Sequence, residues 1–429
     1  MSGRRGARRG LWCLLAGEAV SITGTTMTTV AIPWFVLATT GSAERAGLAA
    51  FASLLPLVIS AFFGGAIVDR VGHRRSSVLC DLAGGLLAAT VPVLFGTVGL
   101  GFAPLLALLF GRWLLAAPGE TARRALVPAL AVAGGVRMER ATAGFDAVSR
   151  GARMAGAPLA GVLIAVFGGT RLGPVAVLYA DAATFAVSAA LIGVGVPRPP
   201  GHVAAGQDAG PVGGGYLARL KEGLAFLWRE PVLRAITLMV LATNTLDAAW
   251  NQVLLPLYAR DSLGDPRALG LLMGLPGAGA MVGALVYGAV GARLPRWRTY
   301  AVCFLAAGVP RGFVFAAGAA FPLLVGTQAV CGLLAGALNP LIGVVEFERI
   351  PARLRARVMG AGDAGAFAGM PVGGLLAGAL AGAAGLTASL LVFGLLYLTV
   401  CLAPFVGKVW RQLDGTPPAA PPRPAPESA

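Results

Sequence analysis

Five charged side chains stand inside long apolar runs: Glu18, Arg112, Asp181, Asp247 and Arg311. An ionised group at the centre of a bilayer costs about 3 kcal/mol, so such residues mark ion pathways, proton relays or counter-ions of a ligand. Asp247 has the most polar surroundings. It lies in TNTLDAAWNQ, where Asn244, Trp250, Asn251 and Gln252 give one apolar run several hydrogen-bonding side chains. A carboxylate held there, away from bulk water, can bind and release a proton as its surroundings change, which links proton movement to the occupancy of a pocket. Glu18 is a second candidate of the same kind, placed nearer the basic N-terminal end, where it is either wet or paired with an arginine of the tail. The structural alternative for Asp247 is a buried ion pair with Arg112. Asp181, in ADAATFAVSAA, reads as a packing residue, and Arg311, beside Pro310, has no acid at helical spacing and no role assigned from sequence.

The chemistry these residues offer is proton binding and not bond-making. No HExxH or GxSxG arrangement is present, and neither lysine closes a phosphate-binding loop, since Glu222 follows Lys221 and Val409 follows Lys408. An enzyme and an ATP-driven pump are thereby excluded. The cysteines Cys13, Cys80, Cys303, Cys331 and Cys401 are dispersed through apolar runs without CxxC spacing, as small core residues are, so neither a metal nor any other cofactor is expected.

The elements that position these groups follow from composition. With 57% hydrophobic residues, 12% charged residues and a mean hydropathy of +0.77, the 429-residue chain has too little polar surface for a soluble globule. Apolar runs of about 20 residues fill most of it, and alternating segments of about 10 residues, as barrel strands would give, do not occur. The spans are therefore helices. The net charge of +15 does not point to nucleic acid, because the chain has only Lys221 and Lys408 as lysines and its arginines cluster in short connections between apolar runs.

Twelve spans are predicted, at 11–38, 47–68, 77–99, 101–118, 142–167 and 174–196, then at 232–258, 268–290, 299–319, 321–345, 358–384 and 385–407. The basic, then apolar start resembles a signal peptide, but its apolar run continues to about Ala38 and reads as a retained first helix. The division expected is a basic tail (1–10), a six-helix bundle (11–196), a linker (197–231), a second six-helix bundle (232–407) and a disordered tail (408–429). Within the linker, Leu217, Leu220, Leu224 and Leu227 share one face of an amphipathic helix that Pro231 ends. Basic clusters recur at alternate connections: Arg4 to Arg9, Arg70 to Arg75, Arg123 to Arg153, Arg198 to Arg234, Arg293 to Arg298, Arg349 to Arg357, and Lys408 to Arg423. The other face holds only Arg45, Arg171, Arg260 and Arg267, so both termini are expected to be cytoplasmic in a multi-pass protein of the cell membrane.

The halves resemble each other. GGAIVDRVGHRR, Gly64 to Arg75, returns as YGAVGARLPRWR, Tyr287 to Arg298, and the same offset pairs Pro33 with Pro256, Gly47 with Gly270 and Cys80 with Cys303. A second pair, AGAPLAGVL and AGMPVGGLL, sets Gly156, Pro158 and Gly161 against Gly369, Pro371 and Gly374. Small residues around a proline let helices approach closely and bend.

Gly65, Asp69, Arg70, Gly72, Arg74 and Arg75 stand in a pattern that resembles the loop signature G-x-x-x-D-R-x-G-R-[RK]-[RK] of the major facilitator superfamily, with His73 in place of one basic residue. The second copy has Ala292 where the acid would be. Thr40-Gly41-Ser42, Pro56, Ala125-Leu126-Val127-Pro128 and Glu222-Gly223-Leu224-Ala225-Phe226-Leu227 resemble the drug:proton antiporter branch that includes macrolide-efflux and enterobactin-exporter-like proteins. The first Pro158 segment is similar to the antiporter motif G-P-x-x-G-G, with Ala157 and Val162 replacing two glycines. The resemblance implies an all-α fold of two pseudo-symmetric six-helix bundles around a central cavity lined by the first, fourth, seventh and tenth helices. It places Glu18, Arg112 and Asp247 on that cavity, with Asn244, Trp250 and Asn251 beside them. It also implies a latch in which Asp69 meets the start of the eleventh helix and the loop arginines meet Asp69, Glu346 or Glu348; fixing topology is the other role open to Arg74 and Arg75. The partners implied are the bilayer, protons and an amphipathic or hydrophobic cargo, carried outward by a monomer. A proton-coupled or passive importer is the alternative, and a membrane scaffold or sensor a more distant one.

Overall fold

The computed structural model describes residues 2–168, 172–197 and 216–415, with only the backbone described at 2–3, 61–67, 69, 216–220 and 356. Ten helical stretches among these residues are long and apolar enough to cross a bilayer. The last of them, Arg357–Val406, runs for 50 residues and breaks at Gly385, whose φ of 80° and ψ of 170° only glycine adopts without strain, so it makes two crossings. Met138–Val166 adds another: its 29 residues rise about 43 Å, and its acids and arginines lower its hydropathy. All twelve expected spans are present in the expected order.

In order, the spans of the first half are Ser2–Thr40, Ala43–Val71, His73–Thr97, Phe102–Gly134, Met138–Val166 and Leu172–Gly195. Those of the second half are Pro231–Leu263, Pro266–Val290, Arg296–Ala316, Phe321–Arg349, 355–384 and 386–406. The first span packs on the fifth and the third on the sixth, as the seventh packs on the eleventh and the ninth on the twelfth. The second and fourth pair in the same way as the eighth and tenth. This is the pseudo-twofold relation that the repeated glycines and prolines predict.

Between the linker and the seventh span, the helix Tyr216–Arg229 ends at Glu230, whose carboxylate accepts a hydrogen bond from the Leu233 N–H at 2.7 Å and caps the seventh span, with Pro231 at its first position. Leu227 is buried with Leu233, Ile350, Leu354 and Val358, whereas Leu224 and Trp228 are exposed. The side chains of Leu217 and Leu220, the rest of the linker at 198–215 and the tail from 416 lie outside the described residues. One stretch departs from expectation. Lys408–Leu413 is a 3-10 turn and no disordered tail: Trp410 is buried with its ring 5.3 Å from that of Tyr300, and Arg349 donates to the Gln412 carbonyl. Aromatic stacking and a capped carbonyl outweigh the entropy of so short a segment.

Among the described residues, the halves come close together along two glycine seams at the end of the bundle remote from the termini. A Cβ at Gly270 in the eighth span would lie 2.6 Å from the Ala157 carbonyl and 3.0 Å from the Gly161 Cα in the fifth. The second seam mirrors it: a Cβ at Gly378 in the eleventh span would lie 2.6 Å from the Ala43 carbonyl and 2.9 Å from the Gly47 Cα in the second. Gly374 also belongs to this seam, facing Ala50. The equivalent residue is thus one helical turn further along than the repeat alone suggests. Gly156 and Gly369 turn the other way, onto Thr26 of the first span and Thr245 of the seventh, while Pro158 faces Gly274 across the halves. At the same end Arg260 donates to the Leu37 carbonyl at 2.7 Å.

Because the atoms that face Gly270 are backbone, they cannot yield to a side chain. Gly270→Val is expected to part the seam, at an overpacking cost of about 1–3 kcal/mol, which moves a two-state population by about 5- to 150-fold. A cysteine placed at Ala49, beside a small cavity behind the seams, should then react correspondingly faster with a membrane-impermeant thiol reagent applied from that end. An unchanged rate would show that the seam does not hold the halves together.

Candidate functional site

The seventh span carries the half-buried acid Asp247, and the sequence around it explains the shape of its backbone. Pro256 has no N–H for the Gln252 carbonyl and its ring crowds that group, which a regular helix does not tolerate. The helix widens into a π turn over Trp250–Leu254, with the Leu255 N–H reaching the Trp250 carbonyl. A second π turn, Ala259–Leu263, closes on Gly264 at φ 65°. One turn before the first widening, Asp247 pairs with Arg311 of the ninth span at 2.5 Å. The Asp247 side chain is 36% exposed and that of Arg311 10%. Arg311 stands among the rings of Trp250, Tyr397 and Phe393, with centroids 5.5–6.0 Å away, so its charge is held by one carboxylate and three π faces.

The candidates around Asp247 separate. Asn244 donates to the Ala366 carbonyl at 3.0 Å and ties the seventh span to the eleventh. Asn251 donates to the Asp247 carbonyl within its own helix. Trp250 is fully buried against Phe315 and Phe393, a core residue that supports Arg311 and not part of the cavity wall. Gln252, with Thr28, Thr29, Ser53 and Trp113, lines a cavity of about 10 Å³ between the first, second, fourth and seventh spans.

Arg112 and Asp247, the pair that sequence offered as the structural alternative, are not partners. Arg112 binds Asp181 of the sixth span at 2.6 Å, and Thr28 donates to the same oxygen at 2.7 Å. Asp181 is therefore more than a packing residue: it is fully buried and neutralises the arginine of the fourth span. Arg311 gains the acid that helical spacing within its own span could not supply. Glu18 is neither wet nor paired with the tail. It is fully buried, accepts from Arg123 at 2.6 Å and from Ser149 at 2.8 Å, and reaches Asp81 through that arginine. Sequence reasoning placed Arg123 in a connection because the hydropathy falls after Pro118; the helix in fact continues to Gly134. It passed over Asp81 altogether, although an acid in the apolar run after Cys80 was the signal available.

Of the expected latch, Gly72 makes the turn between the second and third spans at φ 90°, and Arg74 donates to the Gly193 carbonyl of the sixth span. Arg70 and Arg75 are exposed. Glu348 is taken by Arg296, which meets both its oxygens at 2.6 and 2.8 Å. Gly65 lies within the helix Ala43–Val71, and the side chain of Asp69 lies outside the described residues.

Arg123 is the costliest of these groups to lose, because its removal strands two buried carboxylates. Arg123→Gln should lower stability in detergent by about 3–5 kcal/mol. Arg153→Gln, which breaks a half-exposed pair with Glu120, should cost no more than about 1 kcal/mol. Thermal unfolding of the two variants side by side measures the difference, and equal losses would count against the buried network.

Comparison with known proteins agrees with this architecture. Residues 14–264 and 237–429 match the family model described as Major Facilitator Superfamily. The chain is 33% identical to the multidrug efflux pump Tap of Mycolicibacterium fortuitum over 396 residues, 91% of this chain and 94% of that protein. It is 32% identical to Tap of Mycobacterium tuberculosis (strain ATCC 25618 / H37Rv) over 411 residues, 94% of this chain and 93% of that protein. Among solved structures, the nucleoside transporter NupG superposes with a TM-score of 0.71 at 16% identity, covering 95% of this chain and 100% of that one. A bacterial homologue of the human lysosomal transporter Spinster, in an inward-facing and unoccupied conformation, gives 0.68 at 13% identity, covering 95% and 97%. The fold, the matched family model and the identity over nearly the whole length place this chain in the Major Facilitator Superfamily, as a multi-pass membrane protein that handles a small-molecule substrate.

Proposed function

We propose that the chain is a proton-coupled exporter of amphipathic or hydrophobic small molecules in the plasma membrane, working as a monomer by alternating access, with both termini cytoplasmic. The observation that carries this reading is the contrast between the two ends of the bundle. The halves, 11–196 and 232–407, meet backbone to backbone at the end remote from the termini, while Asp247 keeps a third of its side chain exposed. With the basic clusters at the terminal end facing the cytoplasm, this is an inward-facing arrangement. It is in keeping with the neighbour described as inward-facing and unoccupied. In it Arg296 holds Glu348, so the loop arginines become partners of that acid only after the terminal ends close. The pumps named Tap support export of chemically varied compounds.

Asp247 is the coupling carboxylate in this scheme. Ionised, it neutralises Arg311; protonated from the cleft, it leaves that charge to the aromatic rings and frees the cleft face for the next step. In proteoliposomes with an imposed pH gradient, the native protein should export ethidium, a fluorescent lipophilic cation, and move protons the opposite way. Asp247→Asn should reduce proton-linked ethidium flux to that of empty liposomes while leaving the protein inserted, and Asp247→Glu should retain it. Unchanged flux in Asp247→Asn would remove Asp247 from the coupling, whereas ethidium flux without proton movement in the native protein would remove the coupling itself.

A further inference from the structure

Away from the cleft, the first six helices enclose a second group of acids. Arg123 in the fourth span donates through Nε to Glu18 of the first at 2.6 Å and through Nη1 to Asp81 of the third at 2.8 Å. Ser149 of the fifth span donates to the other Glu18 oxygen at 2.8 Å, and Ser188 of the sixth to the other Asp81 oxygen at 2.6 Å. Glu18, Asp81 and Arg123 are all within 3% of complete burial.

The charges that face this cluster are already matched. Glu120, on the same helix as Arg123, pairs with Arg153 of the fifth span at 2.7 Å. Arg112 pairs with Asp181 of the sixth. Cys80, the remaining titratable neighbour on the third span, is partly buried. Two carboxylates thus share a single guanidinium, and full ionisation would leave one negative charge uncompensated in a dry interior. Two acids in that relation do not both ionise, because like charges and burial both favour keeping one proton. Asp247 and Arg311, by contrast, match one to one.

We propose that Glu18 and Asp81 together hold one exchangeable proton, forming a second proton-binding site that lies wholly within the first six helices and is separate from the cleft-facing Asp247. The proposal deepens the reading of a proton-coupled exporter. A cavity of about 20 Å³, bordered by Asp81, Arg123, Arg112, Glu120 and Thr25, adjoins the cluster and has room for one water among polar partners. Glu120, which lines the same cavity, is 31% exposed and gives it an outlet. The step is a proton transfer alone: an O–H bond forms at a carboxylate oxygen of Asp81, one breaks in the cavity water, and that water is reprotonated from the solution side. Arg123 stays charged and holds whichever carboxylate is ionised. Loading this site changes the charge of the bundle core and requires no contact with the cargo, which suits a transporter whose cargoes differ in chemistry.

Infrared spectroscopy of the purified protein in lipid, recorded against pH, tests the site without cargo or transport, so the efflux reading and this one fail separately. The native protein should show the carbonyl stretch of a protonated, dehydrated carboxyl that titrates. Asp81→Asn and Glu18→Gln should each remove it, since the remaining acid then has Arg123 to itself, whereas Asp81→Glu and Asp247→Asn should both keep it. Absence of the band in the native protein at every pH at which it stays folded, or its persistence in either neutralised variant, would overturn the proposal. If neither variant folds, absence of the band from the native spectrum still overturns the proposal, and Asp81→Glu, which keeps both acids, must shift the band for it to stand.

Discussion

A charge enclosed by helices that face hydrocarbon must find its counter-charge on a neighbouring helix, because neither water nor lipid will serve. That constraint ties this molecule together. Arg123 joins the first, third and fourth spans, with serines of the fifth and sixth completing the set; Arg112 joins the fourth and sixth; Arg311 joins the seventh and ninth. Each of these arginines finds its acid within its own half. The charges therefore stiffen each bundle internally and leave the boundary between bundles free of ionic cross-links at these positions.

What crosses the boundary is of a different kind. Gly161 against Gly270 and Gly47 against Gly378 bring backbones together, so the attraction there is dispersion between closely packed main chains. Such seams depend on fit and carry no desolvated charge, so they part without stranding an ion. Beside the hydrogen bond from Arg260 to the Leu37 carbonyl, two internally cross-linked bodies thus meet through shape-dependent contacts, which suits rigid-body movement of one half against the other. The Pro256-induced widening of the seventh span adds a local adjustment, with Trp250 set into the aromatic core while Asp247, one turn before it, keeps a third of its side chain exposed. Lys408–Leu413 closes the terminal end of the second bundle, with Trp410 on Tyr300 and Arg349 bound to both Glu230 and the Gln412 carbonyl.

The two halves share a skeleton but not their polar chemistry. The repeat position of Asp247 in the first half is Gly24, and the space that a side chain there would need is approached by Asp181 of the sixth span. An acid thus stands at a comparable depth in both halves, delivered from a different helix in each. Divergence of this sort gives the two halves different buried charge pairs while their packing faces remain alike.

By itself, the sequence determined the helices and their order, because a chain in hydrocarbon must satisfy its backbone within each span, and runs of about 20 apolar residues broken by glycine and charge leave no other solution. It also determined the pseudo-twofold relation, since glycines and prolines at fixed offsets are backbone requirements legible without neighbours. Only the tertiary structure decided which charges belong together. Glu18 and Arg123, Arg112 and Asp181, and Asp247 and Arg311 are each far apart in the chain, and helical periodicity relates residues only within one helix. For the same reason Arg123 passed for a topology determinant, Asp181 for packing and Asp81 for nothing at all. Their roles come from the three-dimensional meeting of helices, where the need to neutralise a buried charge selects its partner.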